Sequence, residues 1–144
     1  MDKRKVYTAT FLAYGALMLW LLFDRPGHTE GIPYWEQVAQ QLNLIHFRTL
    51  RLFGSLLDST RPDYVRSAVI NLGGNIIMFV PLGFLLPRVF PQRASLPRVL
   101  LTTAAIISAV ELLQLFTLVG SCDIDDLILN VLGAAMGYGL HKLL

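Results

Sequence analysis

Long apolar segments separated by short polar ones dominate this sequence of 144 residues and constrain what it can fold into. A transmembrane helix needs about 20 predominantly apolar residues. Segments close to that length lie at 7–23, 67–86, 99–119 and 124–141. Because 54% of all residues are hydrophobic, a soluble domain of this size is not expected. The pattern predicts an all-α membrane protein with four transmembrane helices.

Basic residues predict how these segments are oriented. Three of them occupy positions 3–5, and the loop 87–98 carries three arginines and no acid. Since short loops rich in lysine and arginine stay in the cytoplasm, we expect both termini there and 24–66 as an outer loop. The first segment runs into Asp24 without a small-residue cleavage site, so we interpret it as a retained span. A single transmembrane domain over 1–144 is predicted.

The predicted outer loop contains apolar residues at spacings of three, four and seven, which predicts an amphipathic helix lying against the membrane surface. These residues are Trp35, Val38, Leu42, Ile45, Leu52 and Leu56. The loop also contains His28 and His46. Neither is followed by a second metal ligand three or four residues later, so we interpret both as interfacial residues.

Polar residues inside the predicted spans indicate a candidate site, because ionisable groups in a bilayer usually persist only with a partner and a function. Asn75, Glu111 and Asn130 lie in three different spans. Each falls within about 5 Å of the bilayer midplane, on the outer side, at a rise of about 1.5 Å per residue. Gln114 shares a helix face with Glu111, and Asp126 shares one with Asn130. We predict that these five residues line a polar pocket near the outer leaflet.

Three aspartates lie where the fourth span begins. Asp123 suits the N-cap, and Asp125 and Asp126 in the first turn complement the helix dipole. The same carboxylates are candidate ligands for a divalent cation, and no other cofactor is predicted. The single cysteine, Cys122, provides no metal-binding pair. The small net charge of +2 indicates no nucleic-acid partner.

Three motifs in this order resemble the VanZ-like family of membrane proteins. They are Asn75-x-x-x-Phe79-x-Pro81-Leu82-Gly83-Phe84-Leu-Leu-Pro87, then Glu111-Leu-Leu-Gln114, then Asp123-Ile-Asp125-Asp126-Leu-Ile-Leu-Asn130-x-x-Gly133-x-x-x-Gly137-Tyr138. The pair Gly133 and Gly137 lets another helix approach closely. The resemblance covers residues 43–140 and includes Asn43-Leu-Ile-His46-Phe47-Arg48, where His46 replaces the proline of the family pattern.

The resemblance implies a small multi-pass protein of the bacterial cell membrane. The founding member of that family accompanies vancomycin-resistance genes and raises resistance to teicoplanin, a glycopeptide with a fatty tail. A role in lipoglycopeptide resistance or in cell-envelope homeostasis is therefore expected. The family supplies no agreed chemical mechanism, so the resemblance implies a phenotype rather than a reaction.

Several functions fit the predicted pocket. It could bind a lipoglycopeptide or a lipid-linked cell-wall precursor, with a bridging cation or arginines such as Arg48, Arg51 and Arg66 facing an anionic head group. Of these we assign Arg66 to the ligand. The alternative is an intramembrane hydrolase or transferase that acts on an envelope lipid, with Glu111 and Asp126 as candidate catalytic carboxylates. A proton-coupled transporter would require an oligomer. Membrane lipids are expected partners in every case.

Overall fold

The computed structural model describes residues 2–24, 30–45, 47–58, 60–93 and 95–144, and helices account for most of them. The helices are α1 (Lys3–Phe23), α2 (Tyr34–Gln41), α3 (Arg48–Leu57), α4 (Pro62–Val89), α5 (Leu96–Thr117) and α6 (Ile124–Leu143). A short 3-10 turn, Pro91–Arg93, precedes α5. The two-residue strands β1 (Leu42–Asn43) and β2 (Cys122–Asp123) pair with each other. The predicted helical fold class is confirmed apart from these strands.

Three of the described helices, α1, α4 and α5, are long and apolar enough to cross a membrane. The prediction of four transmembrane helices is therefore wrong. The remaining long helix, α6, has 20 residues, but Asp125, Asp126, Asn130 and its glycines lower its mean hydropathy. It packs along α4, which contributes most of its neighbours.

The long helices alternate in direction. The guanidinium of Arg88, near the end of α4, lies 5.0 Å from the ring centroid of Tyr7, near the start of α1. At the other end of the bundle, Nε2 of Gln114 donates to the carbonyl of Leu22 (2.8 Å). Thus α1 and α5 run one way, and α4 and α6 run the other. The cytoplasmic placement of the termini stays a prediction.

Glycines allow α4 and α6 to touch through their backbones. A Cβ atom at Gly133 would collide with the carbonyl of Ile76, and one at Gly137 with the carbonyl of Val80. From the α4 side, a Cβ atom at Gly83 would collide with the backbone of α6. Close contact of this kind is what small residues four apart permit in membrane helices. The core beside this contact contains Met18, Phe79, Leu82 and Ile107.

The predicted continuous interfacial helix is two short helices, α2 and α3, with β1 between them. Pairing of β1 with β2 extends the backbone at Leu42 and Asn43, which interrupts the helical periodicity expected there. Val38 is buried, whereas Trp35 and Ile45 are more than half exposed, at 68% and 62%. His28 and His46 lie outside the described residues, so their interfacial role stays a prediction.

Candidate functional site at the start of α6

The two short strands bring the segment after α2 onto the start of α6. They run parallel, with Leu42 opposite Cys122 and Asn43 opposite Asp123. Nδ2 of Asn43 donates to Oδ2 of Asp123 at 3.0 Å, across a sequence separation of 80. We call residues 30–45 and 47–57, which belong to the predicted outer loop, the outer segment. The outer segment and the last helix share one site.

The carboxylate of Asp125 binds the first turn of α3. Asp125 is fully buried, at 0% exposure. The backbone N–H of Phe47 donates to its Oδ1 (2.7 Å), and those of Thr49 and Leu50 donate to its Oδ2 (2.8 and 3.1 Å). Phe47 has a left-handed φ of 61° and gives α3 no side-chain cap. Asp125 takes the place of that cap and complements the dipole of α3.

The carboxylate of Asp123 connects three elements. Its Oδ1 accepts from the backbone N–H of Asp125 (2.9 Å), which makes Asp123 the N-cap of α6. Its Oδ2 accepts from the hydroxyl of Thr49 and from the amide of Asn43. The predicted N-cap is confirmed. Asp125 lies in the first turn of α6 as expected, but its carboxylate caps α3.

Glu111 lies beside these aspartates and is buried, at 8% exposure. Its Oε2 accepts from the backbone N–H of Asp123 (3.1 Å). Asp126 accepts from Nδ2 of Asn75 (2.6 Å). Thus α4, α5 and α6 each contribute a polar side chain to one region. We call Glu111, Asp123, Asp125 and Asp126 the acidic cluster.

No described hydrogen bond joins the other residues predicted for the pocket to the acidic cluster. Gln114 is buried, but its amide is directed at the Leu22 carbonyl of α1. Asn130 is also buried, and its Oδ1 accepts no hydrogen bond from any described residue. Arg66 is exposed near the start of α4, where it lines a shallow cavity with Asp63. No described contact joins Arg66 to the acidic cluster.

A cavity of about 220 Å³ lies against the acidic cluster. It is lined by Leu44, Ser108, Glu111, Leu112, Cys122, Asp123, Ile124 and Leu127. Most of its wall is apolar, and two carboxylate side chains supply the charged part. The arrangement suits a group that is apolar on one side and donates hydrogen bonds on the other.

Cys122 lies in the wall of this cavity and is partly buried. Burial, followed by the charges of Glu111 and Asp123, raises the pKa of the Cys122 thiol. The thiolate is the nucleophilic form of cysteine. This environment therefore opposes a nucleophilic role for Cys122 at neutral pH.

The family model for VanZ/LLP1 matches residues 11–144, which is nearly the whole chain. The chain belongs to the VanZ/LLP1 family. This result confirms the resemblance seen in the motifs and extends it beyond residues 43–140. No curated protein and no solved structure matches the chain. Family membership and three membrane-length apolar helices together identify a membrane protein.

In this VanZ/LLP1 protein, the predicted cation ligands face hydrogen-bond donors. Both oxygens of Asp125 point at backbone N–H groups, and both oxygens of Asp123 accept from N–H or O–H groups. A cation at those oxygens would have to displace the donors. Within the described ranges, no three residues of the types His, Cys, Asp and Glu are placed to hold a metal ion. The contacts of Asp123 and Asp125 favour helix capping, and a metal role for the three aspartates stays a prediction.

Sequence reasoning missed the residues of the outer segment that complete the site. Asn43 and Thr49 bind Asp123, and the backbone from Phe47 to Leu50 binds Asp125. Asn43 and Phe47 belong to the family motif ahead of the second span, which was the available signal. Spacing within one segment could not show which carboxylate they meet, because the partners are more than 70 residues away.

Proposed function

We propose that this VanZ/LLP1 protein is a binding protein of the bacterial cell membrane, and that its ligand is an amphiphile of the cell envelope. The observation that supports this most is the cavity beside Glu111, whose wall is mostly apolar and also includes Ser108 and two carboxylate residues. It lies between α5, the start of α6 and Leu44 of the outer segment. An amphiphile would place apolar atoms against this wall and a polar head at Glu111.

The cavity volume favours a ligand that is only partly enclosed. Sites that enclose a drug-sized molecule have volumes of about 300–1,000 Å³, whereas this cavity has about 220 Å³. It would hold a fragment, and the rest of the ligand would lie among the lipids or above them. That is the geometry expected for a lipoglycopeptide antibiotic or a lipid-linked cell-wall precursor.

The charge of the site favours a donor group over an anion. Glu111 lies beside Asp123, from whose backbone N–H it accepts a hydrogen bond, and both side chains line the cavity. A phosphate placed there would be repelled, whereas an ammonium, amide or hydroxyl group would donate to the carboxylates. The ligand group at Glu111 is therefore a hydrogen-bond donor. Arg66, which the sequence predicts to contact an anionic head group, lies outside this cavity.

The contacts of the aspartates favour binding over catalysis. Asp123 and Asp125 are occupied as helix caps, so they support the fold and present no free oxygen to activate water. The enzyme alternative then depends on Glu111 and Asp126. Catalysis would require these two groups to exchange protons with a substrate in the cavity.

Substitution of the two remaining carboxylates tests the proposal. Glu111→Ala and Asp126→Ala are expected to abolish any resistance to teicoplanin that the protein confers on a susceptible bacterium, at matched levels in the membrane. Asp58→Ala, which removes an exposed carboxylate at the end of α3, is the matched control and should keep full resistance. Full activity of both cluster variants would refute the site.

Lipid analysis separates binding from catalysis. Saturable binding of the lipoglycopeptide or precursor to purified protein, with no change in its chemical form, supports a binding protein. The hydrolase or transferase would instead be supported if overexpression of the wild-type protein makes a lipid-linked product appear or disappear. Overexpression of Glu111→Ala should then leave the same lipids unchanged.

A further inference from the structure

The end of the bundle opposite the acidic cluster is strongly basic. It comprises the starts of α1 and α5 and the ends of α4 and α6, and near it Phe11 of α1 packs edge-on against Phe90 at the end of α4. Its described lysines and arginines are Lys3, Arg4, Lys5, Arg88, Arg98 and Lys142. The described acid there is Asp2, whose carboxylate is occupied as the N-cap of α1. We call these six residues the basic end.

Arg88 lies over two aromatic rings at the basic end. Its guanidinium carbon lies 3.8 Å from the ring centroid of Phe84 and 5.0 Å from that of Tyr7. Stacking of this kind covers the faces of the guanidinium and leaves the N–H groups at its edge available. Within the described part of the chain, those N–H groups have no hydrogen bond or ion pair. Arg98 differs, because its Nη1 donates to the carbonyl of Gln92 (2.7 Å).

A second cation lies at the same end of the bundle as Arg88. The Nζ of Lys142 lies 5.5 Å from the ring centroid of Tyr138, next to Gly137, which packs against the α4 backbone at Val80. Arg88 and Lys142 are in the last turns of α4 and α6, where positive charge offsets the helix dipole. The dipole accounts for positive charge at this position. It does not account for a planar donor group that lies over two aromatic rings and has no hydrogen-bond acceptor among the described residues.

We propose that Arg88, with Lys142 beside it, binds the phosphate group of an anionic phospholipid. A guanidinium edge matches two phosphate oxygens at once, and a nearby ammonium adds charge to the same site. The basic end lies where three membrane-length helices begin or end, which is the depth of lipid head groups. The occupant is therefore a lipid phosphate rather than a phosphate from solution.

Lipid binding to the purified, full-length chain in detergent tests this proposal. The probes are phosphatidylglycerol, phosphatidylcholine and inorganic phosphate, and bound lipid is counted by native mass spectrometry. We expect phosphatidylglycerol to bind in preference to phosphatidylcholine, and excess inorganic phosphate not to displace it. Arg88→Gln is expected to weaken phosphatidylglycerol binding about tenfold, which corresponds to losing charge-assisted hydrogen bonds.

Two further variants control for charge and folding. Arg51→Gln removes the same charge from exposed α3, at the other end of the bundle, and should leave lipid binding unchanged. Arg88→Lys keeps the charge but loses the planar fork, so its affinity should fall between those of wild type and Arg88→Gln. If Arg88→Gln does not insert, Arg88→Lys and Lys142→Gln are compared with wild type, and each should bind phosphatidylglycerol more weakly.

Several results would overturn the proposal. They are equal binding of the two phospholipids, wild-type affinity in the position-88 variants, or a loss in Arg51→Gln as large as that in Arg88→Gln. Complete displacement of phosphatidylglycerol by inorganic phosphate would show that the site takes free phosphate, and would equally refute a lipid site.

Discussion

Replacing Asp125 tests the contact on which the outer segment depends. In the wild-type structure its buried carboxylate receives the backbone N–H groups of Phe47, Thr49 and Leu50. The first amides of a helix have no partner within the helix. Asp125→Ala therefore leaves three donors at the start of α3 without an acceptor, while all other contacts of α3 remain.

The expected loss of stability follows from these contacts. A hydrogen bond to a charged group contributes about 1.5–3 kcal/mol, whereas loss of an ordinary N-cap side chain costs about 0.5–2 kcal/mol. If the three hydrogen bonds contributed independently, their loss would cost more than about 4.5 kcal/mol. Thr49 and Leu50 are only partly buried, however, so water can accept hydrogen bonds from some of the freed N–H groups. We expect Asp125→Ala to destabilise the protein by about 2–4 kcal/mol. Asp125→Asn should cost less, because it keeps one acceptor oxygen.

Hydrogen–deuterium exchange measures the effect where it arises. The amides of Thr49 and Leu50 should be protected in the wild-type protein and exchange about 10–100 times faster in Asp125→Ala. The unfolding midpoint in detergent gives the global loss, and Asp58→Ala at the exposed end of α3 is the control. If exchange at both amides is the same in Asp125→Ala and wild type, Asp125 does not cap α3.

Three further predictions concern the helix contact, the cysteine and the intramembrane amide. Gly137→Ala should destabilise the protein by about 1–3 kcal/mol through overpacking. Gly139→Ala, where a Cβ atom would meet open space, should leave the stability unchanged. Equal unfolding midpoints for the two variants would contradict the backbone contact between α4 and α6. Because its pKa is raised, Cys122 should have less thiolate than an ordinary cysteine at every pH below that pKa. Its maleimide labelling should therefore be slower than in the unfolded chain at pH 7 and still rise above pH 9, and identical pH profiles would refute this. A double-mutant cycle of Asn75→Ala and Asp126→Ala should give a coupling of about 0.6–1.7 kcal/mol; additive losses would show that the 2.6 Å contact contributes no stability.

Most of the helices could be predicted from hydropathy, because a run of apolar residues has few alternatives in a membrane. The predicted segment 99–119 corresponds to α5, and 67–86 lies within the longer α4. The prediction of a fourth transmembrane span was wrong for a physical reason. Hydropathy describes a helix that faces lipid, whereas α6 carries aspartates, an asparagine and glycines that lie against other helices.

The candidate site was predicted in part. Helical spacing placed Asn75, Glu111 and Asn130 at one depth and put Asp126 on the face of Asn130. In the structure, Asn75 donates to Asp126, and Glu111 accepts from the backbone of Asp123. The role of Asp125 could not be predicted, because periodicity describes neighbours on the same helix and Asp125 acts on another one. The pairing of β1 with β2 at Asn43 could not be predicted either, because two residues are too few to show the alternating pattern of a strand.

The cap on α3 has a consequence for the order in which the protein is assembled. The ribosome adds position 125 some 75 residues after Leu50, whose amide it will hold. When α4 and α5 have entered the bilayer during synthesis, the first backbone N–H groups of α3 therefore still lack the acceptor that Asp125 will provide. Docking of the last helix closes that turn, so the outer segment acquires its final shape only when synthesis has passed the acidic cluster.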